Sequence, residues 1–371
     1  MTEVVPTVII GGGQAGLAMG YHLKLAGEPF LIIDAGQRVG DSWRARWDSL
    51  RLFSPPRYAS LPGWPIRTDS FPTRDEMADY LEAYAEHFDL PVRTDTRVER
   101  LTRSDEGFLL ETSAGPLRAG RVIVASGAYQ TPRIPAFADE LDTATTQLHS
   151  SRYRNAGQLA DGPVLIVGAA NSGADIAMDS TAAGHPTWMA GRHPGQVPFR
   201  IESRRAKILV PIVMFVFRRV LTVNTPLGRK AQAALHGHGV NLVRVKLADL
   251  DAAGVRRVGR IDGVRNGRPM TADGEVLEPR TVVWCTGFRP DYGWIELPVT
   301  SADGEIMHER GVSAEPELYF IGLEFQYSAA SPTIQGLDQD VRYLMRAIRR
   351  AGTPVLASGA GRTLDSARAP V

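Results

Sequence analysis

The sequence predicts an α/β fold in which one strand–turn–helix unit occurs twice. An apolar run at residues 8–10 ends in three glycines, and a helical pattern follows over residues 17–25. The same order returns at residues 163–175. Each unit is followed later by an apolar segment that ends in small residues, at 121–127 and at 281–287. A buried strand that turns sharply into a helix opens a parallel sheet, so the duplication predicts two nested Rossmann-type domains of three-layer ββα form.

The first glycine-rich turn predicts a dinucleotide-binding site. Gly11 permits a tight turn, Gly13 lets the backbone approach a pyrophosphate, and Gly16 lets the helix pack on the strand. The helix N-terminus offers unpaired N–H groups and the positive end of its dipole to the phosphates. The next strand ends in Asp34, whose carboxylate can accept a hydrogen bond from a ribose hydroxyl. The pattern favours nucleotide binding over a purely structural turn.

The second unit lacks that acid and carries an arginine instead. Its following strand, at about residues 186–190, ends in Gly191 and Arg192. A guanidinium at this point can bind a 2′-phosphate bidentately, although an ordinary solvated arginine is the alternative. This asymmetry predicts FAD in the first site and NADPH in the second.

Length, charge and cysteine content exclude several classes of function. The chain of 371 residues is long enough for two domains with real cores. Its 42 basic and 41 acidic residues leave no global field that would favour nucleic acid. The single cysteine, Cys285, excludes a disulfide framework, a Cys-x-x-Cys redox pair and a thiolate metal site. We expect no metal.

The apolar pattern predicts neither a membrane span nor a targeting segment. The longest apolar run, residues 208–217, contains Pro211 and is far shorter than the roughly 20 residues of a spanning helix. The first strand begins within a few residues of Met1, which leaves no room for a signal peptide. We therefore expect a cytoplasmic protein.

The nesting of one unit in the other predicts the domain limits. Residues 1–152 and 286–351 would form the FAD-binding domain. Residues 153–285 would form the NADP-binding domain, with a small helical insertion at about 194–253. Residues 352–371, rich in Ala, Gly and Arg, would be a flexible tail.

Three further elements can be predicted from local signals. Thr73 and Glu76 have the spacing of a capping box for a helix that runs to about His87. Alternating apolar residues at 92–117 predict an antiparallel excursion, and residues 333–350 predict a long C-terminal helix.

Five motifs, in this order, resemble the flavin-containing monooxygenase-like superfamily, and in particular its bacterial branch. They are Gly11–Gly16, Val39-Gly40-Asp41-Ser42-Trp43, His149-Ser150-Ser151-Arg152-Tyr153, Val167–Gly173 and Cys285-Thr286-Gly287-Phe288. The resemblance covers residues 4–350. Together with the glycine-rich turns it gives the following expected cofactor contacts: Gly11, Gly13, Gln14, Ala15, Gly16, Asp34, Ala35, Gly40, Asp41, Ser42, Trp43, Ala125, Gly127, Gly168, Ala170, Asn171, Ser172, Gly173, Arg192, Thr286 and Gly287.

The resemblance also implies an activity. NADPH would transfer hydride to FAD, and the reduced flavin would form a C4a-(hydro)peroxide that oxygenates a small, apolar or soft-heteroatom substrate. His149 and Tyr153 would be catalytic, with His149 at the hinge between the domains. The helix that begins near Thr333 would aim its N-terminus at the flavin. The partners would be this substrate and molecular oxygen, with a homodimer as a further expectation.

The sequence departs from the family pattern at several points. Thr143 and Thr145 stand where the fingerprint around His149 has Phe and Gly. Residues 53–55 occupy the stretch in which N-oxygenating members carry an asparagine, and no arginine typical of Baeyer–Villiger enzymes is found. Phe53, Trp64 and Gln326 are candidates for pocket lining, although each residue type is more often simple packing.

Other functions and roles therefore stay open. The chain could be a flavin reductase without oxygenation, or a non-catalytic redox sensor that binds FAD and NADP. A disulfide reductase is disfavoured because Cys285 is alone. The apolar segment at residues 208–223, with Arg218 and Arg219, could cover the cleft, contact a second copy or attach to a membrane surface.

Overall fold

The computed structural model describes residues 2–235 and 241–354, and it confirms the α/β fold class. The predicted strand–helix–strand opening is present as β1 (Glu3–Ile10), α1 (Gln14–Leu25) and β2 (Leu31–Ile33). β1 and β2 pair in parallel, with Val8 opposite Leu31. The remaining elements follow in chain order: α2 Asp41–Arg44, α3 Arg74–His87, β3 Val92–Arg93, β4 Val98–Ser104, β5 Gly107–Thr112, β6 Leu117–Val124, β7 Thr131–Pro132, β8 Thr146–His149, β9 Val164–Val167, α4 Asn171–Ala182, β10 Thr187–Ala190, α5 Ala206–Phe215, α6 Pro226–Leu235, α7 Leu247–Ala252, β11 Arg256–Val258, β12 Ile261–Arg265, β13 Arg268–Thr271, β14 Thr281–Trp284, β15 Phe288–Arg289, β16 His308–Glu309, β17 Val312–Ser313, β18 Leu318–Phe320 and α8 Ile334–Ala351.

The first sheet contains the first glycine-rich turn. Its strand order is β16-β17-β18-β6-β1-β2-β3, and β18, β6, β1, β2 and β3 run parallel. β4 and β5 form the predicted antiparallel excursion and attach to β6. Helices α1, α3 and α8 cover one face, where Leu17, Tyr84 and Leu344 are fully buried. The parallel order brings the carboxyl ends of β1, β2 and β6 together at one edge.

The second sheet contains the second glycine-rich turn. Its order is β11-β10-β9-β14-β8, with every pair parallel. β8 belongs to this sheet although it precedes residue 153, and β15 pairs with β7 in a separate two-stranded ribbon. The ribbon joins the chain segments that leave β6 and β14. The domain limits given above stay a prediction.

The insertion between β10 and β11 is helical, as the sequence predicts. α5 continues into a π-helical turn at Val216–Val220 and is followed by α6 and α7. Two backbone hydrogen bonds tie its middle to the loop before α8: Val223 N donates to Tyr327 O at 2.9 Å, and Ala329 N donates to Leu221 O at 3.0 Å. Over the described ranges, none of the helices is long and apolar enough to cross a bilayer. From residue 355 onward the predicted tail lies outside the described residues.

The capping box of α3 forms as predicted. Thr73 Oγ1 accepts from Glu76 N at 3.1 Å, and Glu76 Oε2 accepts from Thr73 N at 2.7 Å. Each side chain satisfies a backbone N–H group at the first turn of the helix, which carries Tyr84 into the core.

We expect Thr73→Ala to lower the free energy of unfolding by about 1 kcal/mol, because the cap hydrogen bond is lost. Chemical denaturation measures the change. Thr143→Ala is the matched control, since Thr143 is exposed and its side chain makes no hydrogen bond with the described residues. Equal effects of the two substitutions would contradict the capping role.

Candidate active site and cofactor cradles

The first cradle, residues 11–16, has the close backbone contacts that the glycines predict. Gly11 has φ +111°, and a Cβ there would lie 2.5 Å from Ala125 O. A Cβ on Gly16 would lie 1.9 Å from Gly11 O, so only glycine lets α1 begin this close to β1. At Gly13, by contrast, an added Cβ would meet nothing within 4 Å. The backbone there is open to a ligand.

The second cradle, residues 168–173, repeats this geometry closely. A Cβ on Gly173 would lie 1.8 Å from Gly168 O, and one on Gly168 would lie 2.2 Å from Cys285 O. The backbone hydrogen bonds correspond as well. Gly11 N donates to Ile33 O at 2.8 Å, and Gly168 N donates to Ala190 O at 2.9 Å.

The crossing strands close both cradles in the same way. Ala125 N donates to Ile10 O at 2.8 Å, and Cys285 N donates to Val167 O at 2.7 Å. The chain then turns through Gly127 (φ +71°) and Gly287 (φ +81°), where a Cβ would meet nothing within 4 Å. Thr286 Oγ1 donates to Arg133 O. The duplication seen in the sequence therefore extends to individual backbone hydrogen bonds.

The helices that leave the cradles begin after residues whose side chains cannot cap them. The N-cap positions of α1 and α4 are Gly13 and Ala170, and neither helix has an acidic residue in its first turn. α3, by contrast, has both a side-chain cap and acidic residues there. The first N–H groups of a helix have no partner within it, so the starts of α1 and α4 each present backbone donors and a positive dipole end. Such an end binds phosphate.

Asp34 lies at the mouth of the first cradle. Its Oδ2 accepts from Gly12 N at 2.5 Å, and its Oδ1 accepts from Gly36 N at 2.7 Å. These bonds fix the carboxylate beside the cradle, and each oxygen keeps a lone pair for a further donor. The neighbouring Ala35 is exposed.

The segment that contains α2 runs from the first cradle towards the second sheet. Gly40 has φ +88°, and a Cβ there would lie 2.5 Å from Ala78 O in α3. Only glycine therefore fits at this contact with α3. Trp43 Nε1 donates to Gln14 Oε1 at 3.3 Å, so two predicted cofactor contacts touch each other. Asp41 pairs with Arg38 at 3.1 Å, and Ser42 is exposed.

A bridging segment, residues 45–49, joins the two units. Asp48 N donates to Arg154 O at 2.7 Å, and Ser49 Oγ donates to Asp179 Oδ2 at 2.7 Å on α4. Trp47 is buried in the core cluster of the second sheet. These contacts fasten the loop of the first unit onto the second, and no local signal in the sequence predicts them.

His149 ends β8 between the two units. Its Nδ1 accepts from Ser151 N at 3.1 Å, so the proton lies on Nε2, which donates to Gly287 O at 3.1 Å. Only 4% of the residue is exposed. Burial lowers the pKa of His149, and the nearby Arg46 lowers it further. The imidazole is therefore a neutral link between β8 and the turn that follows β14.

Arg46 is a cation that none of the sequence motifs includes. Its guanidinium lies 5.1 Å from the ring centroid of Tyr129 and 5.8 Å from that of Phe288. It makes no ion pair or hydrogen bond through its side chain with the described residues, and burial lowers its pKa. The only sequence signal is its place three residues after Trp43. Its position beside His149 leaves it available to a ligand.

The side chains predicted to contact a cofactor at the second cradle have different surroundings. Asn171 Nδ2 donates to Asn241 O at 3.0 Å and its Oδ1 accepts from Val243 N at 3.0 Å, so the amide holds a neighbouring loop. Ala170 precedes α4, and Ser172 lies in its first turn. Arg192 follows β10, is exposed at the surface, and has no partner among the described residues.

Tyr153 is buried in the core of the second unit. Its side chain is 0% exposed in the core cluster that also contains Trp47 and Ala177. Burial raises the pKa of its hydroxyl. A ligand cannot touch a fully buried hydroxyl, so this burial argues for packing, and the catalytic role of Tyr153 stays a prediction without support.

The three candidates for pocket lining have different surroundings. Gln326 is 1% exposed, and its amide bonds Gly322 N at 3.0 Å and Phe320 O at 3.2 Å. Trp64 stacks on His87 with a centroid distance of 4.7 Å. Both are packing residues, whereas Phe53 is 42% exposed.

Comparison with known proteins identifies the class of this site. A family model described as pyridine nucleotide-disulphide oxidoreductase matches residues 8–221, more than half of the chain. An uncharacterized CzcO-like oxidoreductase of Geobacillus kaustophilus is 36% identical over 352 residues, covering 94% of this chain and 99% of that protein. The chain belongs to this family and is an oxidoreductase of the flavin-containing monooxygenase-like class. FAD and NADPH, the predicted cofactors, are those of this class.

Two further relatives are monooxygenases by name. An indole-3-pyruvate monooxygenase of Oryza sativa is 26% identical over 343 residues, covering 85% of this chain and 83% of that protein. The structure of a flavin-containing monooxygenase from Stenotrophomonas maltophilia has a TM-score of 0.77 and 27% identity, and covers 94% of this chain and 99% of that one. The resemblance of the sequence motifs to the flavin-containing monooxygenase-like superfamily is confirmed.

The buried His149 predicts a pH-dependent stability. Because its pKa is lowered on folding, the neutral form is favoured in the folded state. The stabilisation is present above the ordinary imidazole pKa of about 6.5 and is lost as the pH falls below it. Between pH 8 and pH 5.5, the free energy of unfolding of the wild type should therefore fall more steeply than that of His149→Gln, by at most ~1.4 kcal/mol per pH unit. Parallel pH profiles in denaturant titrations would contradict this assignment.

Proposed function

We propose that this protein is an FAD-dependent, NADPH-using monooxygenase that oxygenates a small, apolar or soft-heteroatom substrate. The observation that carries the proposal is the pair of equivalent cradles, each with an uncapped helix N-terminus, joined at the hydrogen bond from His149 to Gly287. Two dinucleotides held on facing units are what hydride transfer between them requires. The names of the monooxygenase relatives support the reaction class.

The residues of the first cradle fit FAD. The N–H groups at the start of α1 would bind the pyrophosphate, and the open backbone at Gly13 would allow its close approach. Asp34 would accept from a ribose hydroxyl through a lone pair that its two backbone bonds leave free. The N-terminus of α8 is also uncapped and would interact with the flavin ring.

The residues of the second cradle fit NADPH. The start of α4 would bind the second pyrophosphate, and the exposed Arg192, which has no ion pair with the described carboxylates, would bind the 2′-phosphate. No carboxylate follows β10 to repel that phosphate, in contrast to Asp34 after β2. The two cradles would therefore be selective for different dinucleotides.

The chain itself would position and enclose the reactants. When bound, FAD accepts hydride from NADPH and activates molecular oxygen, so little acid–base chemistry is required of side chains. Neutral His149 would fix the turn at Gly287, and the cation of Arg46 would bind an electron-rich oxygen in the cleft. The bridging segment would hold the two cradles in a fixed relative position.

Cys285 argues against a thiol-based reaction. The residue is partly exposed, but its thiol is surrounded by protein atoms, and this burial raises the thiol pKa. A protonated thiol is a poor nucleophile, and the sequence has no second cysteine to form a disulfide with it. A flavin reductase that does not oxygenate is therefore the alternative to test. A cytoplasmic location and a homodimer stay predictions.

Arg192→Ala should raise the KM for NADPH by about 10- to 100-fold, the effect of losing a charge-assisted hydrogen bond. The KM for NADH should change less than about threefold, because NADH has no 2′-phosphate. Initial rates of flavin reduction at varied coenzyme concentration give both values. Arg260→Ala, an exposed arginine on the same unit, is the control. Equal effects of Arg192→Ala on the two coenzymes would remove Arg192 from this role.

The reaction class is tested by measuring whether the consumed oxygen appears in an oxygenated product or in hydrogen peroxide. With the flavin-loaded protein, NADPH and a panel of thioethers and ketones, we expect one oxygenated product per NADPH consumed for at least one compound. Hydrogen peroxide should then be a minor product, because the enclosed site protects the reaction from water. A reaction without substrate is the control. Release of all oxygen as hydrogen peroxide with every compound would favour the reductase, and absence of reduction by NADPH would favour the redox sensor.

A further inference from the structure

The helical insertion carries a strongly basic stretch in a protein that is nearly neutral. The net charge of the whole chain is +1. Residues 203–235 contain no Asp or Glu, and their cations are Arg204, Arg205, Lys207, Arg218, Arg219, Arg229 and Lys230. None of these seven side chains forms an ion pair with a described carboxylate, whereas Arg100, Arg256 and Arg268 elsewhere on the surface do. The charge of this stretch is therefore not neutralised within the described part of the chain.

Large apolar side chains project into solvent from the same stretch. Ile208, Ile212 and Phe215 are 70%, 55% and 62% exposed. Their spacing puts them on one face of α5, and the opposite face, with Ala206 and Val210, is buried against the protein. Leu227 on α6 is also 62% exposed. Single exposed apolar residues are common, but a group on one helix face indicates an interaction surface.

We propose that this basic apolar surface, α5 and α6 with their flanking cations, docks on an anionic phospholipid bilayer. The apolar face of α5 would lie at the boundary between headgroups and acyl chains, and the cations would bind the headgroup phosphates. A groove lined by Ser203, Arg204 and Arg205 with Pro198 and Phe199 precedes α5 and offers donors for such a phosphate. Arg200 also lines this groove, but its guanidinium pairs with Asp249 at 2.6 Å.

The charges favour a bilayer over the other occupants. In a two-fold dimer the same patch would meet itself, so seven cations would face seven cations across the interface. Nucleic acid would use the cations but would leave Ile208, Ile212 and Phe215 without apolar contacts. The exposure of these side chains to solvent also argues against their use as an inner cover of the cleft.

Vesicle sedimentation tests the proposal with the flavin-loaded protein. At about 0.15 M salt, the protein should pellet with phosphatidylcholine vesicles that contain about 30% phosphatidylglycerol and stay in the supernatant with phosphatidylcholine alone. Higher salt should weaken the binding. The triple variants Arg204→Glu/Arg205→Glu/Lys207→Glu and Ile208→Ser/Ile212→Ser/Phe215→Ser should each lower the partition coefficient at least about tenfold.

A control variant with the same change in net charge tests whether vesicle binding depends on this surface or on net charge alone. Arg97→Glu/Arg260→Glu/Arg265→Glu changes three exposed arginines elsewhere by the same total charge and should bind vesicles like the wild type. Flavin content and Tm of each variant report folding. The proposal is overturned if the wild type does not bind the anionic vesicles, or if the control loses as much binding. It is also overturned if sedimentation velocity shows a dimer that the Ile208, Ile212 and Phe215 variant dissociates while no vesicle binding is seen.

Discussion

The architecture depends on a backbone contact that only glycine allows. At Gly16 and at Gly173, a Cβ would lie less than 2 Å from the carbonyl oxygen of the glycine that directly follows the preceding strand. Without a side chain, each helix begins directly over the strand end, and its first N–H groups, which have no partner within the helix, lie at the edge of the sheet. The same contact occurs in both units, with corresponding hydrogen bonds to the adjacent and crossing strands. The two cradles therefore depend on the same local steric requirement for glycine.

The relation between the cradles depends on other contacts. The bridging segment at residues 45–49 leaves the first unit after Trp43 and inserts Trp47 into the core of the second. His149 adds a hydrogen bond to the turn at Gly287, and burial keeps its imidazole neutral. The guanidinium of Arg46, in the same segment, lies near the rings of Tyr129 and Phe288 and forms no ion pair or hydrogen bond with the described residues. Trp43, just before this segment, contacts Gln14 of the first cradle, and Trp47 lies in the core of the second unit, so the segment couples the positions of the two sites.

Local signals made much of this predictable from the sequence. The glycine spacing, the Asp34 that follows β2 and the capping box of Thr73 with Glu76 each depend on residues close in the chain, so their geometry follows from short-range sterics and hydrogen bonding. The duplication then predicted two nested sheets. The membership of β8 in the second sheet could not be predicted in this way, because it depends on pairing with β14, more than a hundred residues away.

Side chains whose surroundings are set by distant contacts were harder to predict. Tyr153 matches a motif, but its burial results from packing against Trp47 and α4. Arg46 has no motif, and its position becomes apparent only when Tyr129 and Phe288 lie beside it. Similarly, the apolar run of α5 is compatible with burial or exposure until the rest of the fold decides which face is covered.

A structure of the protein with both FAD and NADP⁺ bound would show directly whether each cradle binds its own cofactor. We predict the FAD pyrophosphate at the N-terminus of α1 with a ribose hydroxyl on Asp34, and the NADP⁺ pyrophosphate at the N-terminus of α4 with its 2′-phosphate on Arg192. FAD bound at α4, or a second cradle that stays without nucleotide at saturating NADP⁺, would exclude this assignment of the cofactors.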